Sequence, residues 1–144
     1  MAIRFERYRD AKGKRRWRSY TRINDWLNGD DIVPVRKVPL RYRRIYRATL
    51  LATARAARDA GVVLRVNSSF RTFAEQSALY ADYMNGDGNL AARPGTSRHE
   101  KGNALDLSYG ALPVGLNPRL KAALINRGLV FAVPSEAWHV EYRP

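Results

Sequence analysis

The chain has 144 residues, 45% hydrophobic and 10% aromatic, enough for one hydrophobic core and too few for two. Its 26 basic side chains against 13 acidic ones give a net charge of +13, which points to nucleic acid or an anionic membrane or wall polymer as partner, or to a surface charged for solubility alone. With no cysteine, disulfides, thiolate zinc sites and cysteine nucleophiles are excluded, and any metal must be held by histidine and carboxylate.

The opening "MAIRFERYRDAKGKRRWRSY" lacks the uninterrupted apolar core of a signal peptide, and no run reaches the ~20 apolar residues of a membrane span. The expectation is a protein synthesised in the cytoplasm, without a transmembrane segment. Two aromatic-containing runs around "DAKGKRR", from Ile3 to Tyr20, read as a charged hairpin or arm. Residues 1–35 are set apart as this basic arm, separate from the 36–144 domain or joined to it. "NGDD", Pro34 and Pro39 mark a turn and a linker.

The first long helix is expected from about Leu40 to Ala60, with Ile45, Thr49, Ala52 and Ala56 as an inward stripe and Arg44, Arg47, Arg55 and Arg58 turned to solvent. Gly61 stands where a helix-ending glycine belongs. The β-branched run Val62 to Asn67 reads as a strand. A second helix follows, with Thr72 and Glu75 at capping-box spacing and Ala78, Leu79 and Tyr83 along it. "NGDGNLAARPGTS" is a loop long enough to carry function. In "GNALDLS", alternation puts Ala104, Asp106 and Ser108 on one strand face and Leu105 and Leu107 on the other. Asn117 and Pro118 open a third helix, Gly128 closes it, and "LVFAV" and "WHVEY" are the last strands. Helices and strands mix without strict alternation, so the fold class is α+β: a small antiparallel sheet flanked by helices.

His99, Asp106 and His139 form a candidate metal set. Two imidazoles and one carboxylate make a three-ligand site with a fourth position open, the usual arrangement of catalytic zinc. Asp106 lies mid-strand between two leucines, where an unpaired carboxylate is costly to bury and a cation relieves the cost. Hydrolysis also needs a proton acceptor and a group to steady charge on the carbonyl oxygen. Glu136 and Glu141 compete for the first role, and strand parity favours Glu141, which shares a face with His139. Arg71, at a strand-to-helix junction, is the candidate for the second.

"SRHEKGNALD" fits S-x-H-x-x-G-x-A-x-D, "EAWH" fits E-x-x-H, and "SSFRTFAEQ" looks like an arginine-bearing segment upstream of them. The first pattern fixes five residues, expected by chance about once in 10⁶ starting points. Together they resemble the zinc D-alanyl-D-alanine carboxypeptidase family and its LAS relatives, including peptidases of bacteriophage endolysins.

The resemblance implies a LAS/hedgehog-like zinc peptidase fold over about Leu40 to Tyr142, with Zn2+ bound by His99, Asp106 and His139. It implies Glu136, against the parity argument, as base and later proton donor, and Arg71 as the group polarising the scissile carbonyl. Ser97 is then placed beside bound substrate, with Gln76 near Arg71. On this reading Gly102 turns the chain into the strand and Ala104 leaves space for substrate.

The implied substrate is the peptide stem of bacterial cell wall, cut as a D-Ala-D-Ala carboxypeptidase or an L-Ala-D-Glu type endopeptidase. The expected setting is phage lysis or a virion, with anionic wall polymers attracting the basic surface. Two other classes stay open: a non-catalytic zinc-containing wall-binding module on the same fold, and a basic nucleic-acid binder. Against the latter, the basic residues are spread along the chain and no recognition motif is present, so no specific nucleic acid is expected.

Overall fold

The computed structural model describes residues 4–144, so Ile3 lies outside the described residues. The N-terminal run is a hairpin of β1 (Arg4–Arg9) and β2 (Arg15–Tyr20), antiparallel with Arg7 opposite Trp17. Asp10 closes its turn by accepting the backbone N–H groups of Lys12 and Lys14 and a bond from Arg16. Phe5, Arg7 and Arg9 are exposed on one face, and Glu6 and Tyr8 are half-buried on the other. From buried Thr21 the chain joins the body. The single helical turn α1 (Ile23–Trp26) and the short strand β3 (Leu27–Asn28) carry Trp26 and Leu27 into the core.

Helix α2 (Leu40–Ala60) ends on Gly61 at φ 70, with Gly61 and Val62 donating back to Arg58 and Ala57, so the left-handed residue satisfies the last carbonyls. Its buried surface is wider than the expected stripe: fully buried Tyr46, Ala54 and Ala57 join Thr49 and Ala56. Arg55 and Arg58 are half-buried rather than solvent-facing, and Arg58 donates to Thr21 Oγ1 at 2.7 Å. The alanines allow the helix to lie close against its neighbours, chiefly the later helix Pro118–Asn126.

Strand β4 (Leu64–Ser68) is followed by α3 (Phe73–Met84), whose Thr72–Glu75 capping box is present in both directions. Only Gln76 of α3 is buried; Leu79 and Tyr83 are exposed. This helix forms a wall rather than part of the core. Strand β5 (Ala104–Tyr109) returns in a hairpin with β6 (Leu112–Pro113). Helix α4 (Pro118–Asn126) is capped by Asn117 and precedes β7 (Leu129–Val130) and β8 (His139–Tyr142).

The sheet order is β3-β4-β5-β8-β7, with β6 on β5. All pairs are antiparallel except β3 with β4, which are parallel. A register shift between Val66 and Ser68 sets Ser68 opposite Asp106, the local re-aiming that a bulge produces. The expected strand Leu129–Val133 is cut to two residues, because residues 131–138 cross to the mouth of the cleft described below. Among the described residues, no helix is long and apolar enough to cross a membrane.

Candidate metal centre and substrate cleft

Three segments deliver the site. Gly102, at φ 82, turns the chain into β5, and a Cβ there would stand 3.1 Å from Tyr46 Cβ and 3.3 Å from the Tyr42 carbonyl oxygen, so the residue must be glycine for conformation and for space. β5 then presents Asp106 opposite His139 of β8. His99 lies in the loop before β5, its carbonyl accepting the backbone N–H of Arg71 at 3.1 Å.

His99, Asp106 and His139 bring one ligand atom each to within 4.8 Å of one another. Asp106 Oδ1 lies 3.2 Å from His99 Nε2 and 3.3 Å from His139 Nδ1. The remaining ring nitrogens fix the tautomers. His99 Nδ1 meets the Ser69 carbonyl at 2.8 Å, a group that only accepts, so that nitrogen carries the proton. His139 Nε2 meets Glu141 Oε2 at 2.9 Å and carries its proton for the same reason. In their neutral forms both histidines therefore turn a lone pair towards one carboxylate oxygen. Three electron-rich atoms facing each other call for a cation, and histidine–carboxylate sets suit zinc. The residues fit a metal ion, and Glu141 and Ser69 supply the outer bonds that hold ligand imidazoles in place.

Arg71 is held at three points: Nε to Ser68 Oγ (3.1 Å), one terminal nitrogen to Gln76 Oε1 (3.3 Å) and the other to Asp106 Oδ2 (3.2 Å). A guanidinium has five N–H groups, so two are left for a ligand. Gln76, only 1% exposed, is engaged at both ends, its amide also donating to the Ala92 carbonyl at 2.8 Å. Ser97 is buried beside His99 and accepts its backbone N–H. Glu136 lies in the 133–138 turn with Oε2 4.0 Å from His139 Nδ1. All seven predicted site residues line one cleft of about 570 Å³. Ala104 is fully buried and lies opposite Glu141; its small side chain leaves room for that carboxylate, not for a ligand.

The electrostatics follow from these contacts. Burial alone would raise the Asp106 pKa, but the hydrogen bonds that His139 and His99 donate to it when they carry a second ring proton, together with the charge of Arg71, hold it well below the usual carboxylate range. Burial lowers His139, and its bonds to Asp106 and Glu141 outweigh this and raise it above 6.5. Glu136 is raised above 4.5, first by burial and then by the Asp106 charge, against the pull of His139. Burial pushes Glu141 up, yet His139 and Arg143 bring it below 4.5 overall.

Two contributors escape sequence reasoning. Glu100, 8% exposed, accepts the N–H groups of Gly95 and Ser97 and so shapes the turn that carries His99. Its spacing from Ser97, S-x-x-E, is the available signal. Ser69 acts through its carbonyl, for which sequence offers no signal.

An α+β fold with a His-Asp-His group in a cleft beside a carboxylate and an arginine defines a metallopeptidase-like protein. The profile of VanY, D-alanyl-D-alanine carboxypeptidase, matches residues 41–130, and the chain belongs to that family of peptidases acting on peptidoglycan. Among curated proteins none matches the chain. Of solved structures, DacB from Streptococcus pneumoniae is 25% identical over 74% of this chain and 68% of its own, with a TM-score of 0.52. The vancomycin-resistance D,D-pentapeptidase VanY of a VanB-type cassette, solved in complex with Zn(II), is 20% identical over 96% of this chain and 79% of its own, with a TM-score of 0.53. The LD-carboxypeptidase LdcB is 17% identical over 81% and 64%, with a TM-score of 0.55. These last two likenesses establish the fold.

Proposed function

We propose that the chain is a zinc-dependent peptidase that hydrolyses the peptide stem of bacterial peptidoglycan, as a D-Ala-D-Ala carboxypeptidase or an L-Ala-D-Glu type endopeptidase. The observation that carries this reading is the convergence of the His99, His139 and Asp106 lone pairs in a cleft that Glu136 and Arg71 also line. His99, Asp106 and His139 would hold the zinc, which when bound supplies a Lewis acid for the carbonyl and makes water a stronger acid.

Glu136 accepts the proton of the attacking water and returns it to the leaving amine. Its raised pKa brings it nearer the range where a carboxyl can do both. Arg71 offers its two uncommitted N–H groups to charge developing on the carbonyl oxygen, and its bonds to Ser68, Gln76 and Asp106 fix it beforehand. Ser97 lies on the substrate side of the cleft, and Gln76 supports it by holding Arg71. We place the action at the bacterial wall, in phage lysis or on a virion, where a charge of +13 draws the protein to anionic polymers.

The test is mass spectrometry of defined stem peptides with the wild type, with added chelator, and with Glu136→Gln. We expect one bond cut by the wild type, none with chelator, and a loss of at least about 10²-fold in Glu136→Gln with zinc still bound. A wild type inert towards every stem peptide overturns the proposal.

A further inference from the structure

A second cleft, of about 460 Å³, lies between the hairpin and α2 and shares no lining residue with the catalytic one. Ile23, Ile32, Leu50 and Leu51 contribute apolar surface, while Arg18, Arg22, Arg47 and Arg55 supply cations. Among the described residues, the sole acid lining it, Glu6, is bonded to Arg18. The side chains of Arg22, Arg47 and Arg55 have no hydrogen bond or ion pair among the described residues. Nearby Asp59 is occupied by two hydrogen bonds from Arg127, at 2.7 and 3.0 Å, with Arg58 at 3.8 Å.

We propose that this cleft binds the anionic phosphodiester polymer of bacterial walls, with Arg22, Arg47 and Arg55 each taking a phosphate and the apolar surface taking the polyol between phosphates. The choice of a wall polymer rests on the peptidase reading above; the anion site itself rests on the geometry. Arg47 and Arg55 are eight residues apart on one helix, about 12 Å along its axis, too far for one phosphate to bridge. A chain of regularly spaced charges spans that distance. Among the described residues, Tyr20 is the sole aromatic side chain lining the cleft, whereas binding of single-stranded nucleic acid rests on successive stacking platforms. The polymer expected is therefore one without bases. Burial lowers the Arg55 pKa, and the charges of Arg127, Arg58 and Arg18 lower it further. An external anion relieves that crowding.

The test uses fluorescent poly(glycerol phosphate), and a thymidine oligonucleotide of equal charge, titrated at 0.05–0.3 M NaCl. Wild type is compared with the triple variant Arg22→Gln, Arg47→Gln, Arg55→Gln, and with a control of equal charge loss elsewhere: Lys12→Gln, Arg36→Gln, Arg93→Gln. The cleft variant is expected to bind the polymer about thirtyfold more weakly, half a decade for each arginine–phosphate pair removed. The slope of log affinity against log salt should fall by about two, and the control should stay within threefold. Equal weakening in the two variants overturns the proposal. So does an oligonucleotide that binds through the same arginines as tightly as the polymer.

The melting temperature of the cleft variant is expected at or above that of the wild type, since three unpaired cations are gone; a lower value contradicts the electrostatic premise and also overturns it. Cleavage of short soluble stem peptides reports separately. Cleft-dependent polymer binding by a protein that cleaves nothing sinks the peptidase reading and leaves this site standing. Intact cleavage with cleft-independent binding does the reverse.

Discussion

Replacing Glu141 by alanine should weaken metal binding without touching a ligand. The carboxylate lies 2.9 Å from His139 Nε2, and His139 is 7% exposed, so water does not readily replace the missing acceptor. A buried N–H left unpaired costs about 1–3 kcal/mol, equivalent to roughly 5- to 150-fold in affinity. That range agrees with the 10–100-fold typical of groups that orient a metal ligand. Arg143 also loses its partner, but its side chain is 53% exposed and water takes over, so it adds little. Glu141→Gln keeps an acceptor for Nε2–H and loses only charge; about tenfold or less is expected. Zinc titration against a chelating dye measures both variants, with circular dichroism to confirm the fold. Alanine within twofold of wild type, or glutamine as damaging as alanine, would refute the orienting role.

Three further outcomes follow from the same geometry. Asp106 and Glu141 are held below their ordinary range, so their contribution to stability is present above the unfolded value of about 4 and is lost as pH falls through the lowered folded values. His139 is raised, so its contribution is present below about 6.5 and is lost as pH rises through the folded value. The metal-free protein should thus melt highest near pH 5–6, and zinc should stabilise it more as pH rises, because the metal takes the place of a proton; melting curves at pH 3, 5.5 and 8.5 with zinc or chelator check both. Gly115 donates to the Ala137 carbonyl at 2.7 Å, and a Cβ there would meet that oxygen at 2.5 Å. Gly115→Ala should therefore displace the turn bearing Glu136, costing up to about 10²-fold in peptide cleavage with zinc affinity within threefold; parallel losses of both would contradict it. Arg55→Met keeps the buried stem and removes the crowded charge, so the melting point should rise by about 1–3 °C.

Local rules reached far into this fold. The Thr72–Glu75 box, Asn117–Pro118 and Gly61 each specify a helix end through backbone groups within a few residues, and each end stands where those residues put it. Strand parity correctly placed His139 and Glu141 on one face. It could not show that Glu141 is bonded to the His139 ring, because that depends on which nitrogen of His139 faces Asp106. The two leucines around Asp106 did mark a carboxylate in need of company. What stayed hidden depends on contacts between distant segments: the Ser69 carbonyl behind His99, the shift in β4 that sets Ser68 under Arg71, and the parallel pairing of β3. On α3, the residue that is buried is a glutamine, and composition gives no sign of that.

That glutamine gives the molecule a mechanical link. Through Gln76, one amide group ties the loop that walls the cleft, at Ala92, to the Arg71 guanidinium that lines it. A bulky ligand that pries the loop outward pulls on the same tether that holds Arg71, so the fit of a distant part of the chain is felt beside the His-Asp-His group.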